Sequence, residues 1–471
     1  MRRHGAGLMA MVAVLAAAAS GASVGSTATS VIRDVPVGHG VSAPGAQPDT
    51  EVEPSLAADP RRPGHAVLAF QSGRMAQGAG AAAIGVAVTW DAGAHWSTRV
   101  LPHVSTYSGG VWPRVSDPVV AFGLDDVVHV TSLALDESND KAAVLDSVSH
   151  DGGRTWSGPF TVTADPSASD SPVPAGDDKE WVTVDTGRGD GHHPGRVYVT
   201  WGRLLSTVAA YSDDDGRTWH GPYVIVADSI VSTPVVTNTG DLLVSSYAVV
   251  GPLVTHSDDP DPTADNAAQA RIQISRVAGA GRLPTGAPLA FVTTAVASFD
   301  FRRPGIIRAG GAIPMVADAS RPVVHVLWED TRDGGLGLLS ATSMDGGATW
   351  AAPRRVVPAS STAERWAPTA TLARDGVLRV SFRTWSRVGE LIDTGYTVSR
   401  DDGKTFSPPI RVNRSVRTDH RRAAIAAATG QAFLGDYDGI AAAGGVVYVT
   451  RAEATGPSGV HQRIWVAVLG S

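Results

Sequence analysis

Tyr437 stands between two aspartates in Gly435-Asp436-Tyr437-Asp438-Gly439, an unusual setting for a phenol that only packs. Carboxylates able to move protons stand at Asp117, Asp178, Glu180 and Glu364. Arginines recur in comparable segments, at Arg114, Arg203, Arg332, Arg383 and Arg451, with tryptophans at Trp112, Trp181, Trp201, Trp328, Trp366 and Trp385. An arginine grips a carboxylate through two parallel N–H bonds, and a tryptophan face stacks on a sugar ring. Arginine, carboxylate and tryptophan together suit a site for an acidic sugar. The plainer reading is that polar residues end strands and tryptophans pack between sheets.

Other chemistries are excluded or weak. Cys is 0, so there is no thiol nucleophile, Cys-ligated zinc, iron–sulfur site or disulfide. There is no H-E-x-x-H, and His192-His193 has no third ligand nearby in sequence. The segment 256–265 holds Asp258, Asp259, Asp261 and Asp265 but lacks the spacing of a calcium loop. No cofactor is expected, with a structural Ca²⁺ at that loop as the alternative to a solvated acidic loop. Gly403-Lys404-Thr405 resembles the end of a phosphate loop, but Val398 occupies the place of its first glycine. Arg188-Gly189-Asp190 lies in a Gly-rich loop, where chance explains it. Lys+Arg 39 against Asp+Glu 46 gives a net charge of -7, which argues against a nucleic-acid partner.

The elements that must carry these residues follow from a repeat. Ser149-His-Asp-Gly-Gly-Arg-Thr-Trp156 recurs, with small changes, from Ser212, Ser343 and Ser399, and in degenerate form from Thr89. Its aspartates are Asp91, Asp151, Asp214, Asp345 and Asp401, spaced by 60, 63, 131 and 56 residues. The double gap should hide a copy, and Ser275 to Gly279 fits, with Val277 where the aspartate belongs. Such fixed-period self-similarity signals a repeat architecture. A short carboxylate accepts bonds from its own turn, glycine supplies otherwise forbidden angles, and the aromatic ring buries beside them. Each copy therefore reads as a turn between two strands.

Upstream of each copy an apolar strand, a turn and a second strand recur. First strands fall near Pro54, Pro118, Trp181, Pro234, Pro314, Ala367 and Gly435. Four strands per period, seven times, imply an all-β, seven-bladed β-propeller, with six blades as the alternative count. The last unit lacks an outer strand, which residues near Val31 to Val37 could supply. The one helix-like stretch is 421–428. Strand direction puts first-strand starts and second-strand ends on the face opposite the repeat turns, around the central opening. The candidates above were read from those segments.

Arg2, Arg3, an apolar run over 7–19 and the small residues Ser20-Gly21-Ala22 form a secretory signal over 1–22. The run is too short to span a bilayer. Residues 23–50 then form an N-terminal segment with the closing strand, and 51–471 the propeller. Removing the signal takes away Arg2 and Arg3, so the charge goes from -7 to -9. A secreted, extracellular monomer with no membrane span is expected.

The repeat turn resembles the Asp-box, or bacterial neuraminidase repeat, and the chain from about Glu51 to Leu469 resembles sialidase-like propellers. In that family the box is structural, so the five aspartates would be too. The resemblance implies an exo-glycosidase acting on an acidic, sialic acid-type glycan, with another acidic-glycan hydrolase or a lyase possible within the class. By the family's pattern Tyr437 would be the nucleophile, with Glu180 or Glu364 as base and Asp117 or Asp178 as acid. Arg332, Arg383 and Arg451, with Arg114, would orient the substrate carboxylate, and Trp181 and Glu364 would line the sugar site. The family's F-R-I-P segment precedes the first box, whereas Phe301-Arg-Arg-Pro304 lies between the fourth and fifth units. Sialidases also have six blades. The alternative is a non-catalytic propeller that binds a glycan or a protein.

Overall fold

The computed structural model describes residues 29–470 apart from 39, 139–140, 165–175, 250–267, 302–311, 333–335, 359, 361, 387–388, 390, 426–429 and 456–460. The signal 1–22, the acidic loop 256–265 and all of Phe301-Arg-Arg-Pro304 beyond Phe301 lie outside the described residues. The described regular structure is antiparallel β, with single turns of 3-10 helix. No described helix is long and apolar enough to cross a membrane.

The chain folds as successive up-and-down meanders, each wound outward from an inner strand. The first runs through Glu51–Ala58, Ala66–Arg74, Ala81–Thr89 and Ser97–Val100. A single bridge, Ala81 to Val115, links it to the second, which begins at Arg114–Phe122. The third runs Asp177–Val184, Val197–Arg203, Ser206–Ser212 and His220–Ala227. The fourth, fifth and sixth begin at Ser229–Val236, Met315–Ala317 and Ala363–Leu372. The last begins at Gly439–Ala443 and continues through Val446–Ala454 and Gln462–Gly470. Each inner strand packs on the next in this order, and Gly439–Ala443 packs back on Glu51–Ala58.

Burial explains the strand compositions. Ala66–Arg74 and Val128–Leu135 lie between neighbouring sheets, and every residue in them is buried, so most are small or apolar and the larger polar ones, Gln71, Arg74 and His129, are hydrogen-bonded inside. The outer strand Ser157–Ala164 has a wet face and is mostly polar or half-exposed. The N-terminal strand Ser30–Pro36 pairs antiparallel with Gln462–Gly470 as the outer strand of the last meander. Asp34 holds it there, bonding Arg451 Nη2 at 2.6 Å and the Ser415 N–H at 2.8 Å.

The repeat turns join the third and fourth strands of their meanders. In the third, Asp214 Oδ1 accepts from the Thr218 N–H (2.8 Å) and the Ser212 hydroxyl (2.9 Å), while Oδ2 accepts from the Thr218 hydroxyl (2.7 Å). Asp151, Asp345 and Asp401 make the same set. At Asp91 the His95 ring replaces the threonine hydroxyl, at 2.6 Å. Gly216 has φ 78°, and a Cβ there would collide with Asp146 of the preceding meander. That carboxylate is in turn held by His129 at 2.9 Å, so turn and neighbour interlock.

The fourth meander replaces its missing aspartate from elsewhere. Asp241, in the turn between its first two strands, takes the Gly279 N–H at 2.5 Å and Arg276 at 2.5 Å. Val277 is thereby free to be a core residue, 4% exposed. The connection that follows latches onto the third meander, where Arg196 donates to the Ala280 and Leu283 carbonyls at 2.7 and 3.0 Å. The helix-like stretch 421–428 is described over 421–425 only, and that part differs from its sequence pattern. Asp419 caps a single 3-10 turn at His420–Arg422, and a two-residue strand, Ala424–Ile425, pairs with Ala432–Phe433. Pairing to a neighbouring segment wins over the helix propensity of Ala423 and Ala424.

Candidate functional site

Five inner strands bulge near their starts, and the bulge sets what faces the middle of the molecule. Register skips between Val52 and Ser55, Ser116 and Val119, Asp178 and Trp181, Ile230 and Ser232, and Trp366 and Thr369. At each skip one non-glycine residue takes a left-handed conformation: Glu53, Asp117, Lys179, Val231 and Ala367, with φ of 48–57°. Bulges re-aim side chains, and strained backbone of this kind clusters at functional sites.

Asp117, Lys179, Glu180, Trp181, Asp436 and Tyr437 line one small cavity at these strand starts. Glu180 is fully buried, and neither of its oxygens meets a hydrogen-bond partner from another described residue. Burial, then the charges of Asp117, Asp178 and Glu53, push its carboxyl well above the ordinary 4.5. Glu53, beside the cavity lining, is also buried. It accepts from the Gln71 amide and from the Asp436 N–H at 3.2 Å. Burial, Asp117 and Asp436 push Glu53 up to about 8, opposed by Lys179 and Arg74.

The segment 436–438 ties three other meanders together. Asp436 bonds Lys179 Nζ of the third at 2.5 Å. The Tyr437 hydroxyl donates to the Pro118 carbonyl of the second at 2.9 Å, and its ring meets Trp181 edge-on at 5.4 Å. Asp438 holds Arg383 of the sixth in a bidentate pair at 2.5 and 2.6 Å. Tyr437 thus reaches past the adjoining first meander to the second and third. Burial, then Glu53, Asp117, Glu180 and Asp436, push its phenol well above 10. A phenol so placed keeps its proton at neutral pH.

Of the candidates read from sequence, Tyr437, Glu180, Asp117 and Trp181 meet at this cavity, and the arginines lie elsewhere. Arg383 is taken by Asp438. Arg451, fully buried, is taken by Asp34 and Glu453. Arg332 is held by Asp330, itself 3% exposed. A guanidinium drawn into the interior needs a counter-charge, and the chain supplies one to Arg383 and to Arg451, whereas Arg332 is exposed and its pairing is local. Arg114 is half-buried, with Nη1 lacking a partner among the described residues. Glu364 is buried opposite Trp385. His192 is bound to Asp185 and the Asn238 carbonyl, which accounts for it without a metal. Among the described residues no three His, Asp or Glu side chains group as metal ligands.

Glu53 and Gln71 are absent from the sequence candidates. A signal for Glu53 existed: Glu53-Pro54 stands in its strand where Asp117-Pro118 stands in the next. Gln71 carried none, since its role depends on which residues the bulges bring to it.

No family model matches the chain, and no curated protein matches it. Among solved structures it is similar to an ulvan lyase of polysaccharide lyase family PL25 (12% identity, 89% of this chain, 94% of that chain, TM-score 0.51). It is also similar to an α-L-arabinofuranosidase from Fusarium graminearum (10%, 93%, 98%, 0.48) and to the NanB sialidase from Streptococcus pneumoniae (12%, 93%, 71%, 0.42). At 12% identity the likeness to the ulvan lyase speaks to the fold alone.

Proposed function

We propose that the chain is a secreted, seven-bladed β-propeller enzyme that cleaves glycosidic bonds, with its active site at the cavity around Glu180. The blade count is supported by the cyclic packing of the inner strands and by the N-terminal strand on the last sheet. The repeat turns serve as Asp-boxes on the opposite face, holding blades together. The observation that carries the activity is the place of Glu180, a buried carboxyl beside Asp117 and Trp181 that burial pushes well above its ordinary range. A neutral acid beside a carboxylate divides the labour of glycoside cleavage, one giving a proton to the leaving oxygen and the other acting at the sugar. Glu180 takes the acid role and Asp117 the carboxylate role. Tyr437 resists deprotonation, so it positions rather than attacks. Trp181 offers a face to a sugar ring. The finer reading, an exo-sialidase acting on an acidic sugar, has no ready clamp for the substrate carboxylate, because Arg383 and Arg451 are buried in ion pairs, Arg332 lies away from the cavity, and Lys179 would have to give up Asp436.

A second reading, a non-catalytic glycan- or protein-binding propeller, draws on the small cavity and on Tyr437 bridging it. The test is release of a fluorophore from a panel of α-sialosides, uronides and neutral glycosides by wild type and Glu180→Gln. The enzyme reading expects turnover that falls at least a hundredfold in Glu180→Gln, with unchanged melting curves. Equal rates would remove Glu180 from the chemistry. No release from any glycoside by wild type would favour the binding module.

A further inference from the structure

A second feature lies on the outer rim, apart from the central cavity. Between the fifth and sixth meanders runs a groove of about 390 Å³, within the roughly 300–1,000 Å³ typical of ligand sites. Four of its lining residues are cationic, Arg332, Arg354, Arg355 and Lys404, and the others are Leu339 and Pro353. Among the described residues no carboxylate lines it. This concentration of positive charge sits on a chain whose net charge is -7.

The four come from separate elements. Arg332 follows the second strand of the fifth meander, Val324–Asp330. Its Nε and Nη2 bond Asp330 at 2.8 and 2.6 Å, which sets the plane of the guanidinium. Arg354 and Arg355 form the short outer strand, paired with Ser340 and Leu339, and both are exposed. Lys404 is exposed on the repeat turn of the sixth meander. That turn abuts the far end of the same strand, since the Thr342 hydroxyl donates to the Asp402 carbonyl at 3.3 Å. Gly337–Ser343 is seven residues long, so at about 3.3 Å per residue the row runs roughly 20 Å along the rim.

We propose that this groove binds a linear anionic polysaccharide, bearing sulfate or uronate groups, independently of the central cavity. Basic residues on an edge strand also deter strand addition, which would explain Arg354 and Arg355. That role does not call for Arg332 and Lys404 to converge from another loop and another sheet. An extended chain with spaced negative groups meets a row of cations along its length, whereas a compact anion would use one end. Among the described residues no aromatic ring lines the groove, as base stacking by single-stranded nucleic acid would require.

The test measures binding of fluorescein-labelled dextran sulfate, which carries sulfate without uronate, and of polyglucuronate at 50 and 200 mM NaCl. It compares wild type, the double variant Arg354→Gln/Lys404→Gln, and Arg217→Gln. Arg217 follows Gly216 in the third meander as Lys404 follows Gly403 in the sixth, and it is exposed, so it controls for surface charge alone. Melting curves confirm folding; all three side chains are exposed. The double variant is expected to bind at least tenfold more weakly, with a shallower salt dependence, and Arg217→Gln to stay within twofold of wild type. Loss on sulfate, on uronate or on both tells which anion is read. The proposal is overturned if wild type binds neither polymer at 50 mM NaCl. Equal loss in Arg217→Gln, or equal affinity for single-stranded DNA, would overturn it as well.

Discussion

Replacing Glu53 by Gln should turn a pH-sensitive fold into a much flatter one. Glu53 is 2% exposed at the centre of the inner ring, where Asp117 and Asp436 face it and Lys179 and Arg74 only partly compensate. Its carboxyl is pushed up to about 8, from 4.5 in the unfolded chain. A folded-state value raised in this way means that the folded chain binds the proton more tightly. The stabilisation is fully present below pH 4.5 and is lost as pH rises through 8. At about 1.4 kcal/mol per pH unit, the loss totals on the order of 5 kcal/mol, of which about 3 has gone by pH 7. A glutamine has the same shape, never ionises, and still offers an oxygen to the Asp436 N–H. Urea unfolding of both proteins at pH 5, 7 and 9 reads the effect as the difference between the two. At pH 5 the two should lie within about 2 kcal/mol, the scale of one imperfect buried hydrogen bond. At pH 9 the variant should be the more stable. Parallel stability curves for the two proteins from pH 5 to 9 would refute the reasoning.

Other perturbations address the frame. Asp214→Ala strips the acceptor from the Thr218 N–H and from two hydroxyls; equilibrium unfolding should show a loss of about 1–3 kcal/mol, with activity per folded molecule retained. Deleting residues 29–37 bares the edge of Gln462–Gly470 and leaves Arg451 without Asp34; calorimetry should show a lower Tm and easier aggregation. Burial holds the His325 ring down to about 4 against an ordinary 6.5. Its contribution is full above pH 6.5 and is lost as the pH falls toward 4, so His325→Gln should flatten the acid limb of a stability profile.

The repeat turns were readable from sequence because each is local. Ser212, Asp214, Gly216 and Thr218 satisfy one another within seven residues, so spacing alone carries the geometry. The strands follow for the same reason, since apolar runs between such turns have few other ways to pair. The fourth meander marks the limit of that logic. Ser275 and Gly279 were visible in sequence, but the carboxylate serving them, Asp241, lies more than thirty residues earlier.

The central site belongs to the long-range part of the fold. Tyr437, Glu180, Asp117 and Trp181 could be chosen because strand starts lie on one face, a consequence of direction that sequence conveys. Their roles could not, because a pKa depends on who else is buried nearby. Glu53 and Asp117 stand 64 residues apart and Glu53 and Asp436 383 residues apart, yet they share one low-dielectric space. The arginines show the same dependence in reverse. Arg383, Arg451 and Arg332 look like a clamp while their partners are unknown. Asp438, Asp34 and Asp330 become those partners through sheet register, ring closure and a local turn. Residue type and spacing dictate the turns and strands, whose bonds close over a few residues. Charge state and availability at the site arise only when distant strands are packed, because burial and neighbouring charge are properties of the assembled ring.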